Sequence, residues 1–216
     1  DADRRCLAIV LAAQGTAFCA GANFAAREVS ADPHDEQAFN PIYAHALRLF
    51  ACGKPIVAAV HGPAIGGGLG LALVADFRVA CAEARFAANF TRLGFHPGFG
   101  LSVTLPRLVG PQQASLLFLT GRRIGGEEAL RIGLVDALVS QDRVRAEAAR
   151  LAREIATSAP IAVQATRATL RHGLLAQLRS AIAHESALQQ AHLKTADFRE
   201  GVAAMAARRE PRFTGE

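Results

Sequence analysis

Pro55-Ile56-Val57-Ala58-Ala59-Val60-His61-Gly62-Pro63-Ala64-Ile65-Gly66-Gly67-Gly68-Leu69-Gly70 runs from an apolar, β-branched stretch through a turn into three adjacent glycines. Ile56 to Val60 reads as a buried strand, Gly62-Pro63 as the turn that ends it. Leu69, Leu71, Leu73 and Val74 then give the apolar pattern of a helix. Strand, glycine loop and helix in succession leave unpaired N–H groups at a positive helix start, where they stabilise negative charge. Without Cβ atoms the backbone there is open to close approach. The segment therefore suits an anion or a developing oxyanion, and it suits tight strand–helix packing equally well. No Gly-Lys-Ser/Thr follows, and the glycines are adjacent rather than spaced, which excludes a P-loop and argues against a dinucleotide fingerprint.

A second segment has the same form. Cys6-Leu7-Ala8-Ile9-Val10-Leu11 is another buried-strand run, leading through Gln14-Gly15 to Phe18-Cys19-Ala20-Gly21-Ala22-Asn23-Phe24. Two strand ends that each offer an N–H donor can converge on one carbonyl oxygen, the geometry of an oxyanion hole.

The two motifs together resemble the crotonase family, the enoyl-CoA hydratase/isomerase superfamily. Its signature is roughly Phe-Cys/Ala-Ala-Gly-Ala-Asp, followed some forty residues later by Gly-x-Ala-x-Gly-Gly-Gly. Further matches are Thr120-Gly121-Arg122-Arg123-Ile124, the run Glu127 to Asp136, and Thr195-Ala196-Asp197-Phe198-Arg199-Glu200-Gly201. The resemblance extends from about Cys6 to Phe213. It implies an α/β fold, a crotonase-like β-β-α spiral core over residues 1–140 with a C-terminal helical trimerisation region over 141–216. It also implies an N-terminal hairpin and an Asn/basic segment near a coenzyme A site. Neither precedes Cys6 here, so an incomplete sheet and a partly open coenzyme A site are expected.

Carried over by position, the resemblance places the two oxyanion N–H donors on Ala22 and Gly67. Ala20, Gly21, Phe24, Ile65 and Gly68 then fall on the substrate side of the pocket. Arg27, in the polar stretch Asn23 to Asn40, either meets a coenzyme A phosphate or is an ordinary solvated arginine. The implied substrate is an acyl-CoA thioester whose enolate two preorganised donors stabilise, one such donor being worth about 2.7–4 kcal/mol to catalysis. No further cofactor is implied, since coenzyme A is part of the substrate.

The departures concern acid/base chemistry. Hydratases of the family use two glutamates to position water and move its protons. The first would fall on Gly70 and the second on Phe90, and a third family location for an acid holds Gly98. Histidine is the remaining residue type, and His96 lies in the loop expected to border the acyl pocket; it is a candidate acid/base group or a loop imidazole bonded to backbone. His61 fits a structural hydrogen bond, while His172, His184 and His192 fit solvent or subunit contacts. Phe90 and Phe95, if they face the pocket, favour an apolar or aromatic acyl group. Two functions stay open: an acyl-CoA enzyme working through the oxyanion hole, or a non-catalytic acyl-CoA-binding or assembly subunit.

Bulk properties agree with one globular unit. The chain has 216 residues, 51% hydrophobic, with one Met, one Tyr and no Trp. No apolar run approaches a membrane span. Cys6, Cys19, Cys52 and Cys81 lack metal-ligand spacing and read as reduced thiols in a cytoplasmic protein. The net charge of +5 suits an anionic ligand. Its cations are spread out and not interleaved with aromatics, which gives nucleic-acid binding little support. The family resemblance implies a homotrimer or a dimer of trimers.

Along the chain the pattern predicts strands at 6–12, 55–61, 76–81 and 85–88 and helices at about 35–51 and 67–75. Helices interrupted at Pro106 and Pro111 follow over 101–119, then a strand at 135–139. Helices from 142 onward are broken by Pro160, Gly173 and Gly201.

Overall fold

A computed structural model describes residues 2–22 and 41–216. Strands β1 (Ile9–Ala12), β2 (Ile56–Val60), β4 (Phe77–Ala80) and β7 (Ala137–Leu138) form one parallel sheet in the order β1-β2-β4-β7. All five residues of β2 are buried, as expected for a strand inside a parallel sheet covered on both faces. A second sheet joins β3 (Ala64–Ile65), β5 (Arg85–Ala87) and β6 (Arg123–Gly125), with β3 parallel and β6 antiparallel to β5.

The helices are α1 (Pro41–Phe50), α2 (Gly67–Ala72), α3 (Leu101–Thr120), α4 (Gly126–Arg131), α5 (Val144–Ala156), α6 (Pro160–Leu170), α7 (Leu174–His192) and α8 (Ala196–Ala206). Helix α5 lies over β1, β2 and β4. It buries Val144, Ala148 and Ala152, an i, i+4, i+8 stripe of one helix face. The small alanines let helix and sheet approach closely. This mixed parallel-sheet and helix architecture agrees with the α/β expectation.

Ion pairs tie the C-terminal helices to the sheet. Asp76 accepts the Ile56 N–H at 2.8 Å and pairs with Arg167 at 2.8 Å and Arg171 at 2.9 Å. Arg78 is 1% exposed and donates to the carbonyls of Leu134 and Ala75 and to Asp136. Removing the Asp76 carboxylate would leave the two guanidinium groups packed on it uncompensated, at about 3–5 kcal/mol.

Several boundaries differ from the sequence reading. Helix α2 ends at Ala72 rather than 75, and β3 and β6, two or three residues long, carry no periodicity that a window could detect. Pro106 does not interrupt α3; the non-helical residue is Gly110 (φ 77°, ψ 160°), immediately before Pro111. A proline excludes the α region for its predecessor, and glycine accepts the positive φ. Gly201 does not break the C-terminal helices either. It sits buried inside α8, where a Cβ would stand 2.7 Å from Leu93 Cα. The break falls at Leu193–Thr195, and Thr195 Oγ1 accepts the Phe198 N–H at 3.1 Å as an N-cap.

Candidate functional site

The two motif loops lie against each other. Cys19 forms a parallel bridge with Ala64: its N–H donates to Pro63 O at 2.9 Å and its carbonyl accepts the Ile65 N–H at 3.0 Å. Glycine makes this approach feasible. A Cβ on Gly68 would lie 2.7 Å from the Cys19 carbonyl carbon and 2.9 Å from its Cβ. Gly21, at φ 86°, is pressed the same way, its hypothetical Cβ lying 2.7 Å from Ile65 O and 4.0 Å from Gly67 N. The residue before Ala22 is thus packed beside the first N–H of α2.

Gly66 caps α2 at φ 57°, ψ −118°, a conformation that belongs to glycine. Its own N–H donates to Ala87 O at 2.8 Å, while its carbonyl accepts from Gly70 at 3.1 Å. Gly67 N–H, at the first helical position, has no intrahelical acceptor. Among the described residues, no backbone acceptor takes the N–H of Gly67 or of Ala22. Gly67 is half-buried; Ala20, Gly21 and Ala22 are exposed, Ile65 is half-buried and Gly68 is buried.

Aromatic rings border this turn. Phe90 Cζ lies 3.8 Å and Asn89 Oδ1 3.7 Å from a Cβ built on Gly66. Phe99 covers the next turn: its Cδ2 is 3.9 Å from a Cβ on Gly67, and its Cδ1 is 2.6 Å from one on Gly70. Phe90 packs edge-on against Phe95 at 5.3 Å, and Phe95 against Phe198 at 5.4 Å. Phe90, at 5% exposed, is therefore part of a continuous aromatic layer. Asn89 went unnoticed in the sequence reading, whereas Phe99 belongs with Phe86, Phe90 and Phe95 to the phenylalanines that cluster in sequence around the expected acyl pocket. The run Pro97-Gly98-Phe99-Gly100 carried a signal for Phe99, since an aromatic between two glycines marks a backbone bent around it.

His96 is engaged by its surroundings. Its Nδ1 lies 2.7 Å from Pro97 O, its N–H donates to His192 Nδ1 at 3.0 Å, and its carbonyl accepts Gln189 Nε2 at 2.8 Å. The His184 and His192 rings stand 6.2 and 6.5 Å from its own. His192 thus turns inward to the loop rather than only to solvent or a subunit contact. His61 Nε2 lies 2.9 Å from Gly15 O, the structural bond expected there. Phe24 and Arg27 lie outside the described residues.

The same loop is anchored from α7. Glu185, fully buried, accepts the N–H groups of Gly100 at 2.7 Å and Ser102 at 3.0 Å and the Ser102 hydroxyl at 2.5 Å. Burial pushes its carboxyl above the ordinary 4.5, against the pull of those hydrogen bonds. A carboxylate at the start of α3 also meets the positive end of the helix.

The sequence pattern of the enoyl-CoA hydratase/isomerase family matches residues 1–216. The chain belongs to that family. A probable enoyl-CoA hydratase of Rhodobacter capsulatus is 39% identical over 215 residues, covering 96% of this chain and 81% of that protein. A crotonyl-CoA hydratase of Syntrophomonas wolfei is 34% identical over 208 residues, covering 96% and 80%. The crystal structure of carnitinyl-CoA hydratase from Mycobacterium avium superposes with a TM-score of 0.85 at 30% identity, covering 99% of this chain and 83% of that one. Among the described residues no helix is long and apolar enough to cross a membrane.

Proposed function

We propose that this chain is an acyl-CoA thioester enzyme that stabilises an enolate through the backbone N–H groups of Ala22 and Gly67 and is a poor hydratase. The reading is carried by the packing of Gly21 against Ile65 O and Gly67 N. Two preorganised backbone donors can then meet a thioester oxygen as it gains charge. Because both are main-chain groups, they are independent of side-chain identity. Water addition needs more: a base to deprotonate the nucleophile and an acid to protonate the α carbon, contributions of about 10²–10⁴-fold. Gly70 and Phe90 stand where the family resemblance expects those carboxylates, and neither can transfer a proton.

The test is a panel of acyl-CoA thioesters assayed for binding and turnover with the full-length protein, crotonyl-CoA hydration included. Saturable binding with hydration far below that of ordinary hydratases is expected, and a rate comparable to theirs would refute the reading. Binding without any turnover would favour a non-catalytic acyl-CoA-binding or assembly subunit. His96→Ala belongs in the same panel. Activity unchanged by that substitution removes His96 from the mechanism.

A further inference from the structure

Phe99 is a strained residue in a buried place. It is 4% exposed and has φ 65°, one of two non-glycine residues with positive φ among those described. A non-glycine residue in the left-handed region is strained by its Cβ, and an aromatic gains no local hydrogen bond from it. Glycine at positions 98 and 100 stands on either side, so the bend does not lack a cheaper residue nearby. The strain is held by what surrounds it. Glu185 fixes Gly100 and Ser102 from α7, and the Phe99 ring lies on α2 over Gly67 and Gly70. Those two glycines are i and i+3 on one helix face, and together they leave a shallow seat for the ring.

We infer that Phe99 determines acyl-group specificity, its ring forming the wall of the acyl pocket beside Gly67 and limiting how large an acyl group the site admits. The inference rests on the oxyanion reading of Gly67. Cδ2 of the ring lies against the same residue whose N–H would hold the thioester oxygen, so an acyl chain bound there passes next to the ring. The ring and Gly70 are mutually dependent. A Cβ at position 70 would stand 2.6 Å from Cδ1, 2.7 Å from Cγ and 2.8 Å from Cβ of Phe99. Cγ and Cβ lie on the χ2 axis, so rotation of the ring does not remove them. Any side chain at 70 therefore displaces the ring.

The experiment measures equilibrium binding of butyryl-CoA and octanoyl-CoA, saturated probes that require no turnover, to the full-length wild type, Phe99→Ala and Phe99→Gly. Glycine suits φ 65°, so Phe99→Gly keeps the loop where Phe99→Ala fails to fold. Each methylene admitted to the vacated space is worth about fourfold in affinity. The preference for octanoyl-CoA over butyryl-CoA should rise by at least about tenfold in the variants. In parallel, Gly70→Ala should lower the melting temperature, and Phe99→Gly should restore it in the double variant. A preference unchanged within about twofold, with both probes bound, overturns the role of Phe99 and leaves the acyl-CoA site standing. Gly70→Ala melting as the wild type does would also overturn it. No saturable binding of either probe by the wild type overturns both this inference and the function beneath it.

Discussion

Replacing Gly68 with alanine should force the two motif loops apart. The new Cβ would sit 2.7 Å from the Cys19 carbonyl carbon and 2.9 Å from Cys19 Cβ, where ordinary contact begins at 3.4 Å. The Cys19 carbonyl oxygen is nearer still, so the loops must separate by more than about 0.7 Å. No rotamer change relieves the clash, because the obstacle is main chain. Cys19 is held on Pro63 O and on the Ile65 N–H at 2.9 and 3.0 Å, and Gly68 lies in the first turn of α2. Overpacking of this kind costs about 1–3 kcal/mol, and the two strained hydrogen bonds add about 1 kcal/mol each. The sum, about 3–5 kcal/mol, corresponds to a melting temperature lower by about 10 °C for a domain of this size. A donor displaced on the order of 1 Å would cost about 10²-fold in any reaction using it. Thermal melts followed by circular dichroism check the first figure and acyl-CoA turnover the second. Gly67→Ala is the control for the melts alone, since its Cβ meets only Phe99 Cδ2, at 3.9 Å, an ordinary contact. A Gly68→Ala protein melting within about 2 °C of wild type would refute the reasoning.

Two other outcomes follow from buried and exposed groups. Glu185 has a folded-state value raised above its ordinary 4.5, so between the two values the native state binds more protons than the unfolded chain. Its contribution to stability is then largest in acid and declines as pH rises through that window. Urea unfolding from pH 4 upward should show this slope in the wild type and lose it in Glu185→Gln, and equal slopes in the two proteins would contradict it. Self-association is expected on the surface of the C-terminal helices. Ile161 and Leu170 on α6 are 85% and 74% exposed, which is costly for large apolar side chains left in water. Light scattering should report trimers or pairs of trimers at micromolar concentration, and a monomer there would count against the expectation.

Much of the fold is a local property of the chain. The runs Ile56–Val60 and Ile9–Leu11, with their strand-ending turns, mark buried strands by composition, and their alternation with helical segments points to parallel pairing. Pro160 at the first position of α6 and Gly173 before α7 mark helix ends by their backbone preferences. The glycine triplet and Phe18-Cys19-Ala20-Gly21-Ala22 were likewise visible as donors in search of an acceptor, since exposing an N–H requires only a glycine-rich bend. What the chain could not disclose in one dimension is contact between distant segments. Gly201 reads as a helix break until Leu93 is seen against it, and β3 and β6 exist only because β5 lies between them. The same holds for Phe99 and Gly70. Twenty-nine positions apart, they share one volume, and only the bend at Phe99, fixed by Glu185 eighty-six positions further on, brings the ring onto the glycine. Steric exclusion acts through space, so the shape of this site was decided by tertiary packing.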